Sequence, residues 1–462
     1  MIRIFRHYIS RAYLWLLLIE FWMFFVAMYF GSNVRFLLTK SWYTEQDITV
    51  ASIIFSVVMS LSCLGLGLYR RTLNRDDYNL LARTYVSFGI AIFAVVTIYY
   101  LIPQFYVARS VLICAVIFAF VGIIITRFLF YKIVNLDQLK RRFLVIGSGK
   151  KAQELITLND SFIHRGFTIV GFLALSDEVS AVDQSQILSY DKKIMTIAED
   201  YKIDEIVIAL DDRNQALPLD ELLDCKMSGF TIMNIVGFYE REQSLISLDN
   251  VHPSWLVFCD GFAQGDLRSL EKRFCDVFAS LLLLSVAWPL MLLTALAIFL
   301  ESGFKGPILY RQTRVGEKNQ NFEVLKFRSM RTDAEKNGAQ WAQHNDDRIT
   351  KVGRLIRACR IDELPQIFNV LKGDMSFVGP RPERPEFVDG FNKTIPYYRE
   401  RHRVKPGITG WAQLCYPYGA DEHDARQKLQ YDLYYVKNYS LFLDFSIMFN
   451  TIEVILWGKG AR

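Results

Sequence analysis

What constrains this chain most is where its apolar residues stand. Four apolar runs, near 13–31, 49–69, 85–103 and 110–126, each approach the roughly 20 residues that an α-helix needs to cross the hydrocarbon core of a bilayer. The basic residues sort by loop. Arg3, Arg6 and Arg11 precede the first run, Arg70, Arg71, Arg75 and Arg83 lie between the second and third, and Lys140, Arg141 and Arg142 follow the fourth. Lysine and arginine collect on the cytoplasmic side of membrane helices, so four spans are expected with both ends of the bundle in the cytoplasm. Glu20 stands inside the first run, where an ionisable residue either marks a pathway or turns to the bundle interior and pairs. No small-residue cleavage site follows that run, which reads as an anchor and not as a removed signal.

A fifth run, VFASLLLLSVAWPLMLLTALAIFL at 277–300, is long enough to span but has the wrong flanks. Lys272 and Arg273 stand before it, and Lys305, Arg311 and Arg314 after it, so both ends have the cytoplasmic signature. Pro289 at its centre removes a backbone hydrogen bond and kinks a helix. A helix-break-helix over 273–302 that enters the inner leaflet and returns resolves the conflict. A true fifth span would put everything after 305 on the far side.

At 462 residues the chain exceeds what one core organises, and two or three domains are expected. Its net charge of +5 flanks the apolar runs and forms no single stripe, which suits a lipid bilayer and argues against nucleic acid. Seven cysteines without a C-x-x-C pair exclude a disulfide framework and fit a reducing cytosol. After the basic hinge, RRFLVIGSGKKAQELI, FTIVGFLAL and IDEIVIAL alternate with helical stretches, the pattern of a small parallel α/β domain. Gly147 and Gly149 are candidates for a cofactor-binding turn at a helix N-terminus. Ala152 replaces the third glycine of the dinucleotide fingerprint and Asp177 is a loose match for the ribose acid, so a working nucleotide site and a purely structural domain both remain open.

The densest chemistry lies in RIDELPQIFNVLKGDMSFVGPRPERP, residues 360–385. After Asp362 and Glu363, Leu364, Ile367, Phe368 and Leu371 fall on one face of an amphipathic helix. Pro365 suits its first turn and Gly373 its end, which places Asp362 at or next to the N-cap. One reading makes Asp362 a plain cap and Glu363 a first-turn acid favoured by the helix dipole. The other makes the pair catalytic. The company favours the catalytic one: Lys326 and Arg328 in KFRSM, Arg357, Arg360, and Arg381 clamped between Pro380 and Pro382 form the surplus of cations expected where phosphates bind. Neighbouring side chains at a helix start diverge by about 100°, so the acids divide the work. One attacks phosphorus and the other holds the metal that bridges a diphosphate. Such a displacement beside a membrane-embedded helix points to a water-soluble activated donor and a lipid phosphate acceptor.

RQTRVG, LKFRSM, DDRITKVGRLIR, RIDELPQIFNVLKGDMSFVGPRPERPEF, RHRVKPGITGWAQ and YDLYYVKNYSLFLD, in that order over 268–462, resemble the bacterial polyprenyl-phosphate glycosyl-1-phosphate transferases, the bacterial sugar transferase family. The layout is similar to large, exopolysaccharide-type members, and the resemblance implies the fold class. It comprises an α-helical membrane bundle of four spans over 1–135, a degenerate Rossmann-like α/β domain over 140–262, and a monotopic, mainly α catalytic domain over 268–462 with the re-entrant helix. It implies that Asp362 attacks the sugar-bearing phosphate of a UDP-sugar, with UDP-glucose or UDP-galactose as default donors. UMP leaves, and undecaprenyl phosphate resolves the phosphosugar-aspartyl intermediate. Glu363 matches the family's Mg2+ ligand, and Lys326, Arg357 and Arg381 its phosphate- and nucleotide-handling positions. Arg328 joins them as a substrate-binding candidate, and Asp444 in SLFLD is a looser one. The resemblance further implies a bacterial inner-membrane location, a cytoplasmic active site and a homodimer. Many members break the re-entrant helix at Ser-Pro, whereas Trp288 precedes Pro289 here.

Asp432 reads as a helix-surface acid, His402 as a surface or phosphate-facing residue, Trp411 as an interface or packing residue, and DEHD at 421–424 as helix-capping acids. Two rivals compete. A membrane-bound NAD-dependent nucleotide-sugar dehydratase or epimerase needs an intact glycine fingerprint and a Tyr-x-x-x-Lys pair, and the final third has neither. A nucleotide-sensing regulator leaves the acid pair and its cations unexplained.

Overall fold

In the computed structural model the described residues are 2–4, 7–9, 11–39, 45–66, 68–69, 77–105, 107–133, 140–161, 167–175, 180–212, 216–262, 265–332, 347–416 and 421–456. Arg6, Arg70, Arg71, Arg75 and Asp177 lie outside them. Leaving aside the first eight residues, the chain divides into two compact units, Ile9–Gln243 and Ser244–Arg462.

In the first unit the helices α1 (Arg11–Thr39), α2 (Glu45–Gly65), α3 (Asp77–Leu101) and α4 (Arg109–Ile133) coincide with the apolar runs. Each is long and apolar enough to cross a membrane. Phe24, Phe55, Met59 and Ile123 fill their shared interior, while Trp15, Trp22, Phe93 and Phe128 stand exposed on the outside. A helix that is apolar all round belongs where no face meets water. Glu20 has found its partner: its buried carboxylate takes hydrogen bonds of 3.0 and 3.2 Å from the Arg127 guanidinium and a third from the Tyr69 hydroxyl. The pair ties α1 to α4.

The same unit holds a parallel sheet of β1 (Arg141–Ile146), β2 (Phe167–Leu173), β3 (Glu205–Ile208) and β4 (Thr231–Asn234), in the order β2-β1-β3-β4. The helices α5 (Lys150–Ser161), α6 (Ile194–Asp200), α7 (Leu219–Met227) and α8 (Ile235–Gln243) accompany it. Leu144, Ile146, Leu173 and Ile206 form its core, as the apolar strand runs predict for a sheet covered on both faces.

The other unit is organised around α10 (Asp266–Glu301), which follows the short α9 (Pro253–Phe258). α10 is helical from end to end with Pro289 inside it. The expected break is therefore not an interruption of the helix; the proline costs it one backbone hydrogen bond without ending it. Then come a hairpin of β5 (Leu309–Val315) and β6 (Asn321–Phe327), α11 (Lys351–Ala358), α12 (Gln366–Lys372), and β7 (Ser376–Val378), which pairs in parallel with β8 (Gly407–Thr409). The remaining helices are α13 (Pro385–Thr394), α14 (Trp411–Cys415), α15 (Glu422–Asn438) and α16 (Leu441–Leu456).

Both ends of α10 are bound to this unit. Near its start, the Arg273 guanidinium donates to the carbonyls of Val370 and Leu371 at the end of α12, and Asp276 Oδ1 accepts from the Ser376 hydroxyl and the Phe377 amide of β7, both at 3.0 Å. Near its end, Ile298 packs on Phe327 and Ile356, and Glu301 accepts from the Val352 amide at 3.1 Å.

Candidate active site

The chain reaches the acid pair through a residue in an unusual conformation. After α11, Arg360 adopts a left-handed backbone with φ of 56° and opens a 3-10 turn over Ile361–Glu363. Such a conformation costs a non-glycine residue of order 1–3 kcal/mol and persists where the surroundings impose it. Here they do: Ile361 and Leu364 pack against the cluster of Ile298 of α10, Phe327 and Ile356. The extra turn moves the start of α12 downstream, so its N-cap is Pro365 and not Asp362. The capping reading of Asp362 is thereby replaced, and its Oδ1 is buried with no hydrogen-bond partner among the described residues. The buried face of α12 also differs from expectation. Phe368 is exposed while Asn369 and Val370 are buried, because Asn369 accepts from the Leu325 amide at 2.9 Å and donates to the Glu323 carbonyl at 2.6 Å, binding α12 to β6. Gly373 ends the helix in a left-handed conformation, as its position predicts.

The two acids live in opposite surroundings. Glu363 Oε1 accepts from Lys326 Nζ at 3.2 Å and from Arg381 Nη2 at 2.9 Å. Burial pushes the Glu363 carboxyl up, but Arg381, Lys326 and Arg360 outweigh it and hold it well below the usual carboxylate range. Asp362 is pushed the other way. Burial and the Glu363 charge raise its carboxyl, with Lys326, Arg357 and Arg360 pulling against them. Burial lowers the Lys326 ammonium, which Glu363 steadies and Arg381 and Arg314 oppose. The site thus pairs one saturated acid with one held back from full stabilisation.

Arg381 is fixed by more than its prolines. Arg401 Nη2 donates to the Arg381 carbonyl at 2.9 Å and forms an ion pair of 2.8 Å with Asp432, and Arg314 Nη1 donates to the Pro382 carbonyl at 3.0 Å. Sequence reasoning missed this support. Asp432 is 2% exposed and so is not a surface acid: α15 turns that face inward and Arg401 compensates the buried charge. His402 is likewise buried, not a surface residue. Burial, with Arg401 beside it, pushes its imidazole down to about 3, so it stays neutral near pH 7.

The structure brings Lys326, Arg381, Asp362 and Glu363 into one cluster and sets Arg357 close enough to act on Asp362 electrostatically. Arg328 stands two residues beyond Lys326, beside Gly306. Asp444 belongs to a different network: Lys272 Nζ at 2.7 Å and the Tyr435 hydroxyl at 2.7 Å occupy both of its oxygens, which anchors α16 to α10. Trp411 donates to the Ser244 carbonyl at 2.8 Å and packs near Tyr434, and Asp421 with Asp424 forms a capping box on α15. A cleft of about 860 Å³ between the β5–β6 turn and α13 is lined by none of the predicted site residues.

The glycine turn of the α/β domain is already filled. Gly147, with φ of 117°, sits so close to the Ala209 carbonyl that a Cβ would stand 2.6 Å from it, and beyond Gly149 the amides of Lys150 and Lys151 donate to the Asp211 carboxylate at 2.7 and 2.9 Å. An internal carboxylate thus satisfies two amides of the helix N-terminus, the kind of donors that bind phosphate in a nucleotide site.

No group of three or more His, Cys, Asp or Glu suited to a metal occurs among the described residues. The acid pair nevertheless fits Mg2+, a hard cation that takes one or two carboxylates and completes its shell with substrate phosphates and water. Asp362 Oδ1 is an unspent anionic oxygen, and both hydrogen bonds of Glu363 fall on Oε1.

Comparison with known proteins covers the same segment. A family model described as bacterial sugar transferase matches residues 267–458, and one described as CoA-binding domain matches 65–219. The UDP-N-acetylgalactosamine-undecaprenyl-phosphate N-acetylgalactosaminephosphotransferase of Aeromonas hydrophila is 44% identical over 262 residues, 56% of this chain and 61% of that protein. The UDP-glucose:undecaprenyl-phosphate glucose-1-phosphate transferase of Caulobacter vibrioides is 44% identical over 42% of this chain and 72% of its own. The exopolysaccharide production protein PSS of Rhizobium leguminosarum is 42% identical over 41% of this chain and 97% of its own. The acid pair and its cations all lie within the matched segment, and the chain belongs to the bacterial sugar transferase family, the polyprenyl-phosphate glycosyl-1-phosphate transferases.

Proposed function

We propose that this protein transfers a hexose 1-phosphate from a UDP-sugar to undecaprenyl phosphate by two displacements through Asp362. One observation carries the reading: Asp362 has a buried, unpartnered oxygen beside an acid that cations have saturated. In the first displacement an Asp362 oxygen attacks the phosphorus that bears the sugar. The bond from that phosphorus to the UMP oxygen breaks and its electron pair leaves with UMP. In the next, an oxygen of undecaprenyl phosphate attacks the same phosphorus, a diphosphate bond forms, and Asp362 leaves as a carboxylate. Lys326 and Arg381, which hold Glu363 in the resting site, are the cations that receive the donor's diphosphate, and Arg357 adds to their field. Mg2+ held by Glu363 and the substrate would neutralise charge on the diphosphate.

The contacts of α10 support a re-entrant topology. Along a straight helix residues 272 and 298 lie about 39 Å apart, more than the roughly 30 Å of a hydrocarbon core. Yet both positions bind the same unit. α10 therefore enters the inner leaflet from the cytoplasm and returns, while α1 to α4 span the membrane and the active site faces the cytoplasm. The names of the relatives above make glucose and N-acetylgalactosamine, beside galactose, the first hexoses to test. Purified protein supplied with each UDP-sugar and no acceptor should release UMP and gain the mass of one hexose phosphate on the peptide containing Asp362. An adduct mapped elsewhere, or UMP release with none, rejects the mechanism. A cysteine substituted for Lys305 should react only with label on the cytoplasmic side, and labelling from outside would reinstate a fifth span.

A further inference from the structure

We propose that Arg328, whose guanidinium lies beside Gly306 in the turn after α10, holds the phosphate of the lipid acceptor. The assignment rests on the two-step reading above and divides the cations between its two substrates. Phe327 points into the core with Ile298 and Ile356. Strand alternation therefore turns Lys326 and Arg328 to the other face, about 7 Å apart along the chain. The Arg328 amide continues the ladder, donating to the Ile308 carbonyl at 2.9 Å. Lys326 is bonded to Glu363; Arg328 Nη1 is buried and has no hydrogen-bond partner among the described residues. A buried guanidinium nitrogen without an acceptor is costly, and an anion removes that cost.

The position of this nitrogen indicates which anion. A Cβ on Gly306 would lie 2.4 Å from Arg328 Nη1. Gly306 belongs to the turn that follows α10, where Gly303, Phe304 and Gly306 all have left-handed backbones, with φ of 61°, 62° and 90°. Phe304 in that turn is 64% exposed and packs edge-on against Phe299 of α10, the placement of an aromatic anchor at a membrane surface. Where α10 leaves the leaflet is also the level of a lipid's phosphate. The acceptor must bring its phosphomonoester to the phosphorus on Asp362, and two phosphates that approach each other need separate cations. Lys326 and Arg381 serve the donor; Arg328 offers a guanidinium fork to the acceptor's phosphate.

The two half-reactions separate the roles. In phosphatidylcholine vesicles, with whichever UDP-sugar the panel identifies, Arg328→Ala should keep the single-turnover burst of UMP made without acceptor, while KM for undecaprenyl phosphate rises about tenfold or more, as expected for losing a charged hydrogen bond. Arg328→Lys should recover part of that loss, which an unfolded variant would not. The assignment is overturned if Arg328→Ala loses the burst along with transfer, if the acceptor KM is unchanged, or if the defect appears only in vesicles containing phosphatidylglycerol, which would make Arg328 a contact to bulk headgroups. Absence of a burst from the unaltered protein would defeat the two-step reading and this assignment with it. An intact burst with unchanged acceptor KM defeats the assignment alone.

Discussion

Two junctions in this chain lead from a turn into a helix with an acid at hand, and their balances are opposite. Before α5, the amides of Lys150 and Lys151 are both taken by the Asp211 carboxylate, so these donors and their acceptor are matched. Before α12, Glu363 takes Lys326 and Arg381 while Asp362 keeps a buried oxygen that no described residue satisfies. The α5 junction has part of a dinucleotide fingerprint, and its first two helix amides are satisfied internally. The α12 junction has a sequence whose cations favour chemistry over a plain cap, and Asp362 keeps an unpartnered oxygen there. A buried polar group without a partner calls for an explanation, and beside Lys326, Arg357 and Arg360 the free oxygen of Asp362 supports the reactive role proposed for it.

The largest expected effect follows directly. Asp362→Asn should lower UMP release by about 10⁴-fold or more, since an amide cannot replace the nucleophile, and should raise the thermal midpoint. The sign follows from the raised carboxyl. The folded state binds that proton more tightly than the unfolded chain, so stability falls as pH rises from the ordinary carboxylate value through the raised one. Activity runs the other way, appearing as Asp362 ionises. The acidic limb of the rate profile should therefore lie above the usual carboxylate range. A limb below it, or an Asn variant that loses stability, would contradict the contrast between the two junctions.

Removing a cation from the saturated acid comes next. Arg381→Ala should lower kcat/KM for the UDP-sugar by about 10²–10³-fold, the usual loss for one preorganised charge at a phosphoryl centre. Without the guanidinium that chiefly holds it down, the Glu363 carboxyl should move back up toward its ordinary range. Titration of the variant against Mg2+ tests this, because a more easily protonated Glu363 makes metal dependence steeper at acid pH. Identical Mg2+ titrations would show that Arg381 does not govern Glu363.

Much of this was legible in sequence. The apolar runs predicted α1 to α4, the alternation of strands with helices predicted the parallel sheet, and the cations Lys326, Arg357, Arg360 and Arg381 around Asp362 and Glu363 pointed to the site proposed here. What was not legible depended on contacts between distant positions or on backbone conformation. Glu20 and Arg127 are 107 residues apart, and the periodicity of an apolar run does not reveal a polar partner in another helix. The left-handed Arg360 is invisible to pattern, because arginine carries no positive-φ signature as glycine does, and it alone moves Asp362 out of the cap. Asp432 was misread because a polar residue on an amphipathic helix ordinarily faces water; only the fold shows that Arg401 waits for it inside.

That hidden pair yields a smaller effect. Arg401→Lys keeps the charge beside Asp432 but loses the fork that also reaches the Arg381 carbonyl. KM for the UDP-sugar should rise about tenfold with kcat changed less, since the loss is in how Arg381 is positioned, and the UMP burst should remain. A fall in kcat with KM unchanged would mean that Arg401 supports the fold in general and not the donor site.

The smallest effect tests the closed junction. Asp211→Asn keeps one side-chain oxygen for the α5 amides but gives up the charge that complements the helix N-terminus, and should lower stability by about 1 kcal/mol. Turnover of UDP-sugar should stay the same, because the described groups that act on the acid pair, Lys326, Arg357, Arg360 and Arg381, belong to the other unit. The thermal midpoint with and without NAD or coenzyme A checks the other half of the statement: neither should shift the unaltered chain, whose cradle is already filled by its own carboxylate. A stabilising shift by either nucleotide, lost on Gly147→Ala, would open the α5 junction as well and leave the unpartnered oxygen of Asp362 as the only difference between them.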